Sequence, residues 1–243
     1  MKLNCDLGEG LDHADAAIMP LIHQANIACG GHTGNAASMA KAIQLALKHH
    51  VCIGAHPSYP DPDNFGRTSL ATPLDTLRES IAEQILSLHQ ACTALGGKVE
   101  YVKPHGALYN DLLQNPVLLE MLLELISSEF PSLSLMIQAT PQQHIHTQLA
   151  AQAGVTLQFE AFADRRYTPE GYLQARTIEG AVLHNVDDVI EQASQLLTHQ
   201  RVLSTNGTWL NVKASSLCVH GDNPTALAAV RAISSKLKSL ACK

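Results

Sequence analysis

The stretch Val99–Asn110, VEYVKPHGALYN, decides how the rest of the chain is read. Val99–Val102 is a β-branched and aromatic run, the composition of a buried strand. It breaks off at Lys103-Pro104-His105-Gly106, where proline and glycine punctuate the backbone and two titratable side chains arrive together. If the strand persists, Lys103 and His105 lie two apart and share one face. A lysine and a histidine make poor packing at the exit of a buried strand. They suit a site that holds negative charge and moves a proton.

Outward from that stretch, one grammar repeats: an apolar strand, a polar turn, an amphipathic helix. Leu3–Cys5 runs into Asp6-Leu7-Gly8-Glu9-Gly10, and Asn26–Cys29 into Gly30-Gly31-His32-Thr33-Gly34. Asn35 then caps a helix through His49. Val51–Ala55 leads into His56 and a loop ending Phe65-Gly66-Arg67, after which Thr72-Pro73 opens a long helix through Leu95. Pro116–Glu129 reads as a helix, Leu133–Ile137 as a strand, and Pro141 opens a helix ended by Gly154. Val155–Phe159 gives way to Glu160, Asp164 and Arg165, and Tyr167 to Val182 reads as a substantial loop. A helix over Val186–His199 follows, then a β-ribbon over Val202–Val212 signalled by Asn206-Gly207. Leu217–Val219 runs into His220-Gly221-Asp222, and a terminal helix reaches about Leu240.

This alternation predicts an α/β fold with a parallel sheet, in a single domain over residues 1–243. The unusual residues follow strand after strand. In a (β/α) barrel those ends converge on one rim, whereas an open doubly wound sheet would gather them at one crevice. With no GxGxxG after the first strand and no GxxxxGK[ST], a TIM-like barrel of seven or eight strands is the better reading.

Composition narrows the function classes. The 243 residues are 46% hydrophobic and 16% charged, enough for a large core. A net charge of −6, no Lys/Arg cluster and 4% aromatics argue against nucleic acid as a partner. No apolar run approaches the roughly 20 residues of a membrane span, and MKLNCDLGEG is no signal peptide, so a cytoplasmic protein without a membrane partner is expected. Six cysteines without a CxxC pair read as small buried hydrophobes rather than a disulfide set.

His32, His56, His105 and His220 stand apart from the nine other histidines because each follows a different strand. Singly, each is as easily structural as functional; together on one rim, function is favoured. Asp6, Glu9, Glu160, Asp164 and Asp222 are candidates too, although any could merely cap the segment after it. Arg67 and Arg165 could equally bridge to loop carboxylates.

The strings LNCDLGEG, ANIACGGHTG, IGAHPSYPD, FGRT, VKPHGALYN, EAFADRRY, GAVL and CVHGDNP resemble, in order, the motifs of the LamB/YcsF lactam-utilization family. The likeness spans Leu3 to Pro224, with departures at Gln24, Gly31, Asn35, Asn64 and Thr68. It implies a barrel related to the polysaccharide-deacetylase barrels. It also implies the work of the A subunit of 5-oxoprolinase: ATP-dependent opening of 5-oxoproline to L-glutamate together with separate B and C subunits.

The residues accord with that reaction. A partner subunit binding ATP would phosphorylate the amide oxygen; a water would attack the former carbonyl carbon, phosphate would depart, and the protonated nitrogen would open. Asp6 or the His220/Asp222 pair would activate water, His105 deliver a proton, and Lys103 steady phosphoryl or oxyanion charge. Arg67 or Arg165 would grip the substrate carboxylate. Asn4, Glu9, His32, His56, Tyr109, Asn110, Glu160 and Asp164, in the same motifs, complete the expected substrate-binding set. No metal is expected, because no HxxxH or HExxH pair fixes two ligands on one element. Two rivals remain: a metal-dependent amidohydrolase or deacetylase using Asp6 and the rim histidines, and a non-catalytic lactam-binding subunit.

Overall fold

The strands alternate in a way that fully buried parallel strands seldom do. In Lys2–Leu7, KLNCDL, the residues Leu3, Cys5 and Leu7 are buried among apolar neighbours, while Asn4 and Asp6 are equally buried but polar. One face therefore belongs to a hydrophobic shell and the other to a polar interior. The computed structural model describes residues 1–221 and 225–241. Its elements are β1 (Lys2–Leu7), α1 (Asp12–Ile18), β2 (Gln24–Ala28), α2 (Ala36–His49), β3 (Cys52–His56) and α3 (Leu74–Ala94). Then come β4 (Val99–Val102), α4 (Gly106–Asp111), α5 (Pro116–Glu129), β5 (Ser134–Gln138), α6 (Gln143–Ala153) and β6 (Leu157–Phe162). The last are α7 (Val186–His199), β7 (Arg201–Leu203), β8 (Trp209–Asn211), β9 (Ser216–Cys218) and α8 (Ala226–Ala241).

Seven parallel strands close a barrel in the order β1-β2-β3-β4-β5-β6-β9, with β9 pairing back onto β1. The barrel expectation holds, and of seven or eight strands the count is seven. The ribbon is the separate antiparallel pair β7 and β8. The apolar core lies between barrel and helices, where Leu3, Ile27, Ile53, Leu135, Ile137 and Leu217 meet Ile43, Ile81, Ile85, Leu122 and Leu196.

Barrel interiors are commonly filled by Val, Ile and Leu. Here the interior is a hydrogen-bonded polar stack. At its base Gln24 donates to Gln158 at 2.9 Å, and Ser216 donates to Gln24 at 2.9 Å. Above them Asn4 donates to Ser216 and to Glu160 at 2.8 and 2.7 Å, and Asn26 donates to Asn4 at 2.8 Å. Tyr101 reaches over β3 to donate to Asn26 at 2.6 Å. Its ring packs so close to Gly54 that a Cβ there would run into it, so the strand needs glycine at that point. Paired polar groups of this kind are tolerated in the interior and help fix one register.

Helix ends follow local chemistry. Asn35 accepts from Ala37 and Ser38 backbone N–H groups in a capping box, so α2 starts where its cap predicts. Asn115 caps α5 with Pro116 in its first turn, and α6 ends at Gly154 in the left-handed region. Several elements differ from expectation: β1 continues to Leu7 and takes Asp6 into the strand, and α1 forms where no helix is predicted. The strand predicted over Val155–Phe159 runs instead from Leu157 to Phe162, which places Glu160 inside the barrel rather than in the turn after it. After the break at Lys103–Gly106 the chain forms the short helix α4. No described helix is long and apolar enough to cross a membrane.

Candidate active site

The strand exits and two long loops enclose a cavity of about 400 Å3 at the barrel mouth. Asp6, His56, Arg67, Lys103, His105, Tyr109, Asn110, Arg165 and His220 all line it. Asn4 and Glu160 sit deeper, within the polar stack, and Asp222 lies outside the described residues. A second cleft of about 390 Å3, between α1 and α2, includes Asp12, Asp15 and Lys41 but none of the rim histidines.

The floor is an ion triad. Lys103 Nζ lies 2.8 Å from Asp6 Oδ1 and 3.0 Å from Glu160 Oε1, with Asn4 Oδ1 and Cys218 Sγ each at 3.4 Å. All three residues are buried. Burial opposes the ammonium charge, but Asp6, Cys218 and Glu160 more than offset it and hold the lysine well above its usual range. Burial likewise opposes the Asp6 carboxylate, yet Lys103 and His56 hold it well below the carboxylate range. Asn26 donates to the same Asp6 oxygen at 2.7 Å. Glu160 also accepts from Tyr109 OH at 2.7 Å, which makes Tyr109 a support of the floor. Three ammonium hydrogens thus already meet Asp6, Glu160 and Asn4. Lys103 serves Asp6 and Glu160 before it can serve a substrate oxyanion.

Three histidines crowd one corner. His105 and His32 stack with ring centroids 3.6 Å apart, and His56 meets His105 edge-on at 4.8 Å. His56 Nδ1 faces the Lys103 carbonyl at 2.6 Å, and His105 Nε2 faces the Phe65 carbonyl at 3.0 Å. The inner nitrogens, His56 Nε2 and His105 Nδ1, lie 3.0 Å apart. Glu9 Oε1 lies 3.0 Å from His32 Nε2 and 3.8 Å from His105 Nδ1, and Asp6 Oδ2 lies 3.4 Å from His56 Nε2. The loop after β3 roofs this corner. Phe65 packs against both His32 and His105, and Arg67 lies over the Phe65 ring at 4.9 Å. Gly66, at φ 63°, lets the loop approach until a Cβ would press on His32, Ser58 and His105. Burial and the neighbouring imidazoles hold His105 well below the usual histidine range, so the proton-donor role expected of it is disfavoured by its surroundings.

Across the mouth His220 is arranged differently. Its Nδ1 lies 3.0 Å from Asp164 Oδ1, and its backbone N–H donates to Asp164 Oδ2 at 3.0 Å. Asp164 is fully buried, and although burial raises its carboxyl, His220 brings it below its ordinary value. The described partner of His220 is therefore Asp164, a pairing that the neighbouring Asp222 in sequence obscured. Beside it Arg165 donates to the Gln174 carbonyl at 2.6 Å, while its buried Nε meets no acceptor among the described residues. Burial, aided by nearby Arg176, lowers Arg165 to about 10.

Sequence reading passed over several contributors. Asn26 and Cys218 looked like strand filling, yet both point at the floor. Phe162 stacks on His220 with centroids 5.5 Å apart, and Gln174 and Arg176 arrive on an aperiodic loop. Only the polar residue at an alternate strand position, Asn26, carried a readable signal.

The profile of the LamB/YcsF family matches residues 1–243. The chain is 46% identical to the second 5-oxoprolinase A subunit of Pseudomonas putida, over 99% of this chain and 95% of that protein. It is 42% identical to the 5-oxoprolinase A subunit of Chromohalobacter salexigens, over 98% and 97%. The lactam utilization protein of Thermus thermophilus superposes with a TM-score of 0.88 at 30% identity, covering 99% of this chain and 97% of that one. With its motifs, its barrel and its whole length matched, the chain belongs to the LamB/YcsF family.

Proposed function

We propose that the chain, acting as one barrel domain in the cytoplasm, is the hydrolytic A subunit of a 5-oxoprolinase. It would open 5-oxo-L-proline to L-glutamate while ATP is bound and consumed by partner subunits B and C. The observation that carries this reading is the His220–Asp164 pair set beside Arg165 and Arg176 at one cavity. It offers a proton carrier beside a seat for an anion. The names of the relatives point the same way.

The chemistry follows from the groups present. A five-membered lactam is an amide that resists water near neutral pH, and its opening is nearly balanced energetically, so coupling to ATP is useful. The chain has no P-loop, which leaves phosphorylation of the amide oxygen to a partner. Water then adds to the former carbonyl carbon while His220 Nε2 takes its proton, with Asp164 steadying the imidazolium. The same imidazolium returns the proton to the ring nitrogen, the C–N bond breaks, and an acyl phosphate remains for a second water to cleave. Loss of phosphate before C–N cleavage would merely restore the lactam, so nitrogen protonation has to come first. Arg165, with Arg67 or Arg176, holds the substrate carboxylate or the phosphoryl group. Asp6, held strongly ionised, is a poor proton acceptor and acts as a fixed charge instead.

Glutamate release from 5-oxoproline and ATP is the decisive assay, run with this chain alone, with partners alone and with the complete set of subunits. Release only from the complete set is expected. Ring opening by this chain alone without ATP would overturn the division of labour.

A further inference from the structure

The His56–His105 contact is unusual in its proton arithmetic. A backbone carbonyl can only accept, so His56 carries its hydrogen on Nδ1, toward Lys103 O, and His105 carries its own on Nε2, toward Phe65 O. With those hydrogens directed outward, the two inner nitrogens turn their lone pairs toward each other across 3.0 Å. Two more acceptors crowd the gap, Glu9 Oε1 at 3.8 Å from His105 and Asp6 Oδ2 at 3.4 Å from His56. One shared proton would relieve the nitrogen pair alone. A cation held between Glu9 and the imidazoles would relieve the nitrogen pair and the Glu9 contact at once.

We infer that Glu9, His32, His56 and His105 form a binding site for one divalent transition-metal ion. One ligand atom from each lies within 4.8 Å of every other. An imidazole that binds a metal through one nitrogen characteristically donates its other N–H to a carbonyl or carboxylate, which fixes its tautomer. His56 and His105 both do so. Three imidazoles and one carboxylate suit zinc and its neighbours, whereas magnesium and calcium prefer oxygen alone. The other acidic cluster, Asp6, Cys218 and His220, is a poorer seat, because the Lys103 ammonium already lies against Asp6 and Cys218. The donors come from the turns after β1 and β2, the end of β3 and the exit of β4, so no short sequence pattern announces them.

The test needs no turnover, so it stands apart from the reaction proposed above. Protein purified without chelators is analysed for metals, then stripped, and titrated with Zn2+ by calorimetry and with Co2+ by visible absorption. One ion per chain and a cobalt spectrum with nitrogen ligation are expected. His105→Ala and Glu9→Gln, each checked by melting curve, are expected to weaken Zn2+ binding by roughly 100-fold or more, while His220→Asn binds as the parent does. Glu9 lies in the turn after β1 and Gln keeps its size, so its variant serves if His105→Ala does not fold. No ion retained and no titration in the parent would overturn the site in favour of a shared proton. Full affinity in the folded variants would overturn its location.

Discussion

His105 and His220 lie on opposite sides of one mouth, and their far nitrogens face different partners. Behind His105 is a backbone carbonyl, which orients the ring but adds no charge. Behind His220 is a buried carboxylate, which orients the ring and sets a negative charge against it. The first arrangement makes a fixed lone pair and the second a proton carrier. What a histidine can do at this rim is thus set by the atom behind it. The sharpest way to break the comparison is His220→Ala, which removes the proposed base and acid together. Turnover of the reconstituted complex is expected to fall roughly 10²- to 10⁴-fold, while the metal content of the chain is unchanged. Steady-state kinetics beside elemental analysis reads both, and a joint loss of metal and turnover would mean that the two sides are one site.

The floor couples the two sides and gives the next largest effect. Lys103→Met keeps the bulk but leaves Asp6 and Glu160 as two buried carboxylates with no cation between them. Breaking such a buried pair costs about 3–5 kcal/mol, a fall in Tm of roughly 10 °C for a chain of this size. Turnover of whatever folds is also expected to drop, because Asp6 loses the partner that fixes it. Calorimetric melting and a rate assay check this, and unchanged turnover would remove Lys103 from the working site.

Much of this was legible in the chain. Asn35, Pro116 and Gly154 mark helix ends by local chemistry, and the strand exits carry the rim residues. What was not legible depends on distance in sequence. Glu160 is an acidic residue in a strand only because Lys103, Asn4 and Tyr109 meet it across the lumen. Asp164 meets His220 from a different strand exit, 56 residues away in sequence. The expectation of no metal rests on the lack of paired ligands within any one element. A barrel assembles its donors from four strand exits, and periodicity within any one of them is silent about the other three. Gly54 shows the same limit in packing, since the ring that demands it belongs to the next strand.

The smallest effect tests how the corner alone is supported. Asp15 Oδ2 accepts from the Gly8 N–H at 2.8 Å, one residue before Glu9, so it anchors the loop that carries that carboxylate. Burial pushes Asp15 up to about 6, and Glu9 and Asp12 add to the rise. The unfolded value is about 3.9, so the folded state holds the proton more tightly. Stability from this group is full below about pH 4, falls as pH rises, and is lost above about pH 6. Asn keeps the acceptor for Gly8 and cannot ionise, so Asp15→Asn should flatten this slope, by on the order of 1 kcal/mol between those limits. Urea midpoints of parent and variant at pH 4.5 and 6.5 measure the difference, and equal slopes would show that Asp15 titrates as an ordinary exposed carboxylate. His220 lies outside this loop, so its contribution to turnover at pH 7 should stay the same in the variant. A change there would tie the two sides of the mouth together through the backbone of β1.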